Sequence, residues 1–268
     1  MSDPVPADIE RALGASAGLR NGFGDRLYYF SEIGSTNDEA ASLAQRGAAE
    51  GTMVLASSQT AGRGRLGRQW FSPADAGLYA SVICRDRRAA PLLTIAGGVA
   101  VAEGIRVATG LPVEIKWPND VVMVTGVPPT RRKIAGILAE ASSATDGLQY
   151  VVLGFGVNLR PSAYPPAIAA RATAIETELG RPVEPGPLLA AILSAFGSAF
   201  ASLRGGDSTA VLARWRVLAP SATGAQVRYE AAGATREGVT AGMADDGALL
   251  VRSGSDMQRI IAGEILWL

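Results

Sequence analysis

The stretch Gly62-Arg63-Gly64-Arg65-Leu66-Gly67-Arg68-Gln69-Trp70 sets three arginines among three glycines. Arginine is permanently charged and presents a planar fork of donors that fits phosphate and carboxylate oxygens. Glycine frees the backbone and lets a ligand approach it closely. The pattern predicts a mobile, cationic loop that closes over a polyanion. It also fits the dinucleotide-binding signature G-x-G-x-x-G, but that signature requires a helix to begin inside it. Here it runs into Arg68-Gln69-Trp70-Phe71-Ser72-Pro73, which starts no helix. A kinase-type loop is excluded as well, since no HRD or DFG segment follows. The chain contains no histidine, so its chemistry works without imidazole.

Other groups with chemical potential are spread along the chain. Lys116, Asn119 and Asp120 flank the corner Trp117-Pro118, and Lys133 directly precedes the apolar run Ile134 to Ala139. Cys84, the lone cysteine, lies in an apolar strand-like run and reads as a buried structural residue. A single thiol excludes a disulfide framework and a CxxC metal or redox pair. Lys plus Arg equals Asp plus Glu at 25 each, a balance unlike that of dedicated nucleic-acid binders. The first residues lack a signal peptide's apolar stretch, and the longest apolar run, Leu92 to Ala102, falls short of a membrane span of about 20 residues. A cytoplasmic protein with no membrane partner is expected.

The elements that must position these groups follow from periodicity. At 268 residues the chain can bury one large core plus a small satellite. A short N-terminal helix precedes a strand over 26–33. Thr36 and Glu39 form a capping-box pattern that opens a helix. Strands are expected over 52–57, 78–84, 113–116, 120–124, 134–140 and 150–157. Pro91 opens a helix in which Gly97-Gly98 calls for close packing. Two more helices are expected over 188–203 and 209–218. After Pro220 short strands at 226–229, 238–243, 248–252 and 259–265, with a hairpin turn at Asp245-Asp246-Gly247, predict a small all-β unit. The domain expectation is 1–220, whose first 25 residues are an extension, and 221–268.

Five separated segments, in order, make the chain resemble the biotin protein ligases. They are Gly34-Ser35-Thr36-Asn37, Gln59-Thr60-Ala61-Gly62-Arg63-Gly64-Arg65, Lys116-Trp117-Pro118-Asn119-Asp120, Lys133-Ile134-Ala135-Gly136-Ile137-Leu138 and Gly154-Phe155-Gly156-Val157-Asn158. The resemblance covers about residues 27 to 268. It implies an α+β fold: a mixed sheet flanked by helices, like the class II synthetases and the biotin/lipoate ligase catalytic domain, followed by a small SH3-like β-barrel. It implies ATP-dependent activation of biotin to biotinyl-5′-adenylate, with Mg²⁺, and transfer to a lysine of a biotin carboxyl carrier protein. A biotin carboxylate is already ionised at neutral pH, so the first step needs alignment and charge neutralisation rather than a base.

The resemblance also implies residue roles. Ser35, Thr36, Asn37 and Gln59 would contact the ureido ring, Thr36 alternatively capping its helix. Arg63, Gly64 and Arg65 would close over biotin and phosphates, with Arg65 on the α-phosphate and Arg68 a further phosphate contact. Trp70 would stack on adenine or anchor the core. Lys133 would sit between the biotin carboxylate and the α-phosphate, and Asp120 would orient the incoming lysine or a metal whose ligands are unknown. Trp117 would wall the biotin pocket, Asn119 and Asn158 would reach adenine, and Gly136, Gly154 and Gly156 would clear room for ligand. The connection from Asp120 to Lys133 is longer than the family's usual link, with Gly126-Val127-Pro128-Pro129 inserted. Some relatives add an N-terminal DNA-binding domain, and the roughly 26 residues before the first core strand are too few for one. A lipoate ligase shares the fold, but its loop typically carries a histidine. The resemblance leaves monomer and homodimer both open.

Overall fold

The computed structural model describes residues 2–127, 129–145, 147–231 and 233–268. Helix α1 spans Ala7–Ala15, β1 Leu27–Ile33, α2 Thr36–Gln45, β2 Met53–Gln59 and β3 Gly77–Cys84. Helix α3 (Leu93–Thr109) is followed by β4 (Glu114–Lys116), β5 (Asp120–Thr125), β6 (Thr130–Ala144) and β7 (Gly147–Asn158). Helices α4 (Ile175–Leu179), α5 (Pro185–Arg204) and α6 (Ser208–Leu218) complete the first part. The seven strands form one sheet ordered β1-β2-β3-β7-β6-β5-β4, in which only β1 and β2 pair in parallel.

Strand alternation decides what each face of the sheet carries. Met53 and Leu55 of β2, and Leu78, Ala80, Val82 and Cys84 of β3, enter the large core beneath α3 and α5. Val54, Ile83 and Val152 point the other way, onto Ala40, Leu43 and Ala44 of α2. The register then sets the rest of that second face. Tyr79, Gly156, Gly136 and Asp120 are successive partners across four strands, and Ser81, Gly154 and Leu138 make the next row. The α2 face is therefore nearly bare of side chains where β6 meets β7.

On the opposite face α3 approaches closely. A Cβ on Gly97 would lie 3.1 Å from Ile137 and Leu153, and one on Gly104 would lie 2.8 Å from the backbone of Ile192 in α5. Close packing thus compensates at Gly97 but not at its neighbour Gly98, whose added Cβ would find nothing nearer than 3.8 Å; the tighter contact belongs to Gly104. With the turn before it, α3 (Ala90–Thr109), like α5, is long and apolar enough to cross a membrane by length and composition. Both are core helices here, with 67% and 61% of the relevant windows buried in the protein. Uninterrupted apolar runs did not reveal this, because glycine and alanine dilute the pattern.

The last part forms a five-stranded antiparallel sheet, β8 (Thr223–Ala231), β9 (Ala234–Met243), β10 (Leu249–Ser253), β11 (Asp256–Ile260) and β12 (Ile265–Trp267). The expected single strand over 259–265 is two, β11 and β12, separated by Ile261 to Glu264. The turn at 245–247 is present, and its Gly247 takes a positive φ of 87°. Helix α4, hidden between two proline-rich segments, was not expected. Strands β5 and β6 pair as antiparallel neighbours, from Asp120 with Gly136 out to Thr125 with Thr130, just before the segment expected to be inserted; Pro128 lies outside the described residues.

Substituting Gly104→Ala is expected to cost about 1–3 kcal/mol, because a backbone must yield. Thermal unfolding should fall by several degrees. Gly98→Ala, whose new methyl would find its nearest neighbour at 3.8 Å, should leave the transition unchanged or raise it. Equal melting temperatures for the two variants would contradict the α3–α5 contact.

Candidate active site

The bare strip on β6 and β7 is the floor of a cleft. Its walls include Ser35, Thr36, Asn37, Gln59, Arg63, Gly64, Arg65, Trp70, Asn119 and Lys133, over a floor of Gly136, Gly154 and Gly156. With the Trp70 ring lying on two of the floor glycines, only about 50 Å³ of the cleft is open to a water-sized sphere. The glycines are required by what lies on them. A Cβ on Gly156 would stand 2.5 Å from Trp70 Nε1, and one on Gly136 2.9 Å from the Trp70 ring and the Lys133 ammonium. A Cβ on Gly154 would collide with the Asn37 amide.

The inner end is polar. Ser35 is the N-cap residue of α2, and Thr36 is the first helical residue, so Thr36 does not cap. Instead its N–H and hydroxyl both reach Gln59 Oε1, at 2.8 and 3.1 Å, and its Oγ1 lies 2.8 Å from Ser81 Oγ. The Gln59 amide donates to Ser72 Oγ at 2.8 Å. Ser35 Oγ and Trp70 Nε1 are buried without a hydrogen-bond partner. Leaving such a group unpaired costs about 1–3 kcal/mol.

Lys133 is aimed by a β-bulge. Val121 pairs with Ala135 and Val122 with Lys133, which leaves Ile134 as the extra residue. Bulges beside active sites re-aim side chains in this way. The Lys133 N–H and C=O bond to Arg171 and Thr173, at 2.8 and 2.9 Å. The Lys133 ammonium stands 2.5 Å from Asp120 Oδ1 and 5.0 Å from the centre of the Trp70 ring. Asn119 is fixed by its amide on the Ile137 carbonyl (2.9 Å), and its Oδ1 accepts from Arg65 at 3.1 Å.

The arginine loop is a narrow hairpin-like excursion. Gln59 pairs with Ser72 and Arg63 with Gln69, and Leu66 takes a left-handed φ of 57° at the tip. Arg63 is ion-paired with Asp38 and Glu140, Arg68 with Glu264. The hydrogen bond from Arg68 holds the Glu264 carboxyl below its usual range. Burial lowers the Lys116 pKa; among the charges around it, Asp120 and Glu264 oppose that shift while Lys133 and Arg131 add to it.

Four expected residues do not line this cleft: Trp117, Asn158, Arg68 and Asp120, the last reaching it only through its ion pair with Lys133. Trp117 is buried, donates to the Gly247 carbonyl at 2.9 Å and faces a separate cavity beside the C-terminal sheet. An aromatic next to the Asn119-Asp120 pair reads as a pocket wall in sequence, but its partner is 130 residues away. Asn158 is buried and spends its amide on the Thr173 carbonyl at 3.0 Å, buttressing the Lys133 segment. Arg68 is not in the cleft lining; it is paired with Glu264, near enough to Asp120 to feel its charge. Sequence reading missed Ser81, Asp38 and Glu140. Glu140 was visible only as the polar residue ending the apolar run after Lys133. Among the described residues no group of three or more Cys, Asp or Glu side chains is arranged for a metal. Magnesium carried on ATP phosphates needs no such group, since Mg²⁺ keeps waters and takes few protein ligands.

Residues 29–158 match the Biotin/lipoate A/B protein ligase family. A biotin–[acetyl-CoA-carboxylase] ligase of Paracoccus denitrificans is 34% identical over 242 residues, covering 87% of this chain and 97% of that one. The bifunctional ligase/repressor BirA of Bacillus subtilis is 31% identical over 247 residues, 90% of this chain and 74% of the relative. This chain belongs to the biotin protein ligase family. The biotin protein ligase of Aquifex aeolicus, solved with biotin and ATP, shares the fold with a TM-score of 0.77 at 24% identity, covering 91% of this chain and 99% of that one. The mixed sheet with its C-terminal antiparallel sheet is thus the biotin protein ligase architecture.

Two tests bear on this ligase's cleft. Gly156→Ala should push the Trp70 indole off the floor and shift its fluorescence to the red, with native circular dichroism. Gly34→Ala, with no neighbour within 4 Å of the new methyl, should leave the emission unchanged; identical spectra for both variants would refute the packing. The second test is pH. Because the folded Glu264 pKa is depressed, its pairing with Arg68 is intact above the ordinary carboxylate range and is lost as pH falls through the lowered value. Trypsin-accessible loop cleavage at neutral pH should therefore be faster in Glu264→Gln than in wild type, and equal rates would argue against the latch.

Proposed function

We propose that this chain activates biotin with ATP and transfers the biotinyl group to a lysine of a biotin carboxyl carrier protein, that of acetyl-CoA carboxylase or a related carboxylase. The observation that carries the reading is one cleft with a polar inner end, a side-chain-free floor, and Lys133 and Arg65 at its outer end. Ser35, Thr36 and Gln59 offer donors and acceptors for a ureido ring. A lipoyl dithiolane has no use for them, which favours biotin over lipoate.

The first step joins a biotin carboxylate oxygen to the α-phosphorus and breaks the bond to pyrophosphate. The attacking group is already an anion, so what the protein supplies is alignment and positive charge. Lys133, at the cleft mouth, neutralises both the carboxylate and the α-phosphoryl oxygens. Arg65 is carried by the loop to the same place, and its hydrogen bond to Asn119 gives it a defined resting position. Trp70 supplies an aromatic face for adenine above the glycines. Magnesium carried on the ATP phosphates would add charge neutralisation there.

In the second step the acceptor lysine nitrogen attacks the acyl carbon and AMP leaves with the bonding pair. The amine must shed a proton. Asp120, which rests on Lys133, is the carboxylate that orients the amine and takes that proton. An ATP-consuming modification of a carboxylase subunit belongs in the cytoplasm.

The test is Lys133→Ala incubated with biotin, MgATP and a carrier domain. Adenylate formation should drop by about 10²–10³-fold, the usual cost of removing one transition-state donor, while circular dichroism stays native. Wild-type labelling rates in the variant would sink the role given to Lys133. Transfer of lipoate in preference to biotin by the wild type would sink the substrate.

A further inference from the structure

Glu140 lies on β6 opposite Val152, one row beyond Leu138 and Gly154. One of its oxygens accepts from Asn37 Nδ2 at 2.7 Å, and the other pairs with Arg63 Nη2 at 2.6 Å. The Asn37 amide has a fixed orientation, because its Oδ1 takes the Ser81 hydroxyl at 2.6 Å and its Nδ2 is thereby turned to Glu140. Ser81 in turn touches Thr36, and Thr36 touches Gln59. An unbroken chain of polar contacts therefore runs from the inner end of the cleft, through Asn37 and Glu140, to the first arginine of the loop. Arg63 closes the circuit on Asp38, the residue after Asn37. The Glu140 side chain is 31% exposed, so its charge is partly shielded from water and worth more than that of an open surface pair.

We propose that Glu140 is a positioning residue that couples occupation of the ring pocket to the seating of Arg63, and so of the arginine loop. The proposal rests on the biotin ligase reading. A carboxylate suits the task because it accepts on both oxygens at once, one for the amide and one for the guanidinium. A ligand that reorders Asn37 or Thr36 changes the acceptor offered to Arg63, and the loop feels the ring. By linkage, seating the loop tightens the ring pocket by the same factor.

The test is a double-mutant cycle on biotin affinity, with Glu140→Ala, Arg63→Ala and the pair, alongside tryptic cleavage within residues 63–68 with and without biotin. Glu140→Ala should weaken biotin binding about tenfold or more, and the double variant should bind no more weakly than the weaker single one. Biotin should protect the loop in wild type and fail to protect it in Glu140→Ala, and KM for biotin should rise by a larger factor than kcat falls. Glu140→Gln keeps an acceptor for Asn37 but loses the charge, and should fall between wild type and Glu140→Ala. If Glu140→Ala loses its native circular dichroism, the isosteric Gln variant carries the same cycle. Single effects that multiply in the double variant, or undiminished protection in the Glu140 variant, would overturn the coupling alone. A wild-type chain that bound no biotin would overturn the functional reading and the coupling with it.

Discussion

The absence of three side chains governs this site. Gly136, Gly154 and Gly156 sit on one face of two paired strands, and any methyl there meets Trp70, Lys133 or Asn37. Strand interiors ordinarily lose stability to glycine. Here the loss leaves a slot on the α2 face while the opposite face stays fully packed under α3 and α5. The strand period of two lets one segment serve both purposes: Ile137 faces the core while Gly136 and Leu138 face the cleft. Selection for volume on one side and emptiness on the other is compatible only at this period.

Above that floor each cation already has a partner. Lys133 rests on Asp120, Arg63 on Asp38 and Glu140, Arg68 on Glu264, and Arg65 on the neutral Asn119. In the proposed reaction, arriving carboxylate and phosphate oxygens would therefore exchange partners rather than meet bare charges. Such exchange limits the desolvation penalty of holding several cations together. It also separates Arg65 from the other loop arginines: its partner is a neutral amide, a weaker competitor than a carboxylate, so in the proposed reaction Arg65 would be the one most readily recruited by phosphate. A chain without histidine loses nothing by this scheme, since neither step is limited by a buried proton relay.

Much of this was legible in the residues. Strand positions, the helices after Pro91 and Leu188, and the small terminal sheet followed from periodicity. The convergence of Ser35, Gln59, Arg65 and Lys133 was implied by the resemblance to the biotin protein ligases, not by periodicity. What escaped was of two kinds. Helix α4 is short and flanked by prolines, so it offers too few turns for a helical period. The roles of Trp117, Asn158 and Glu140 depend on partners 130, 15 and 103 or fewer positions distant, set by sheet register and by docking of the terminal sheet. Motif spacing says that such residues matter, but it does not say whether they face the ligand or the scaffold. Thr36 illustrates this: its capping-box spacing is real, yet Ser35 takes the cap position and releases the Thr36 hydroxyl for the cleft.

The bond between Arg68 and Glu264 spans 196 residues. During translation at about 5–20 residues per second, the arginine therefore leaves the peptidyl-transferase centre roughly 10–40 s before its partner is polymerised. The seven strands of the first sheet are complete in sequence only at Asn158, and from there until Glu264 is made the loop cannot be fastened on that side. A ribosome stalled before the final β-unit would therefore hold a chain whose arginine loop lacks this contact.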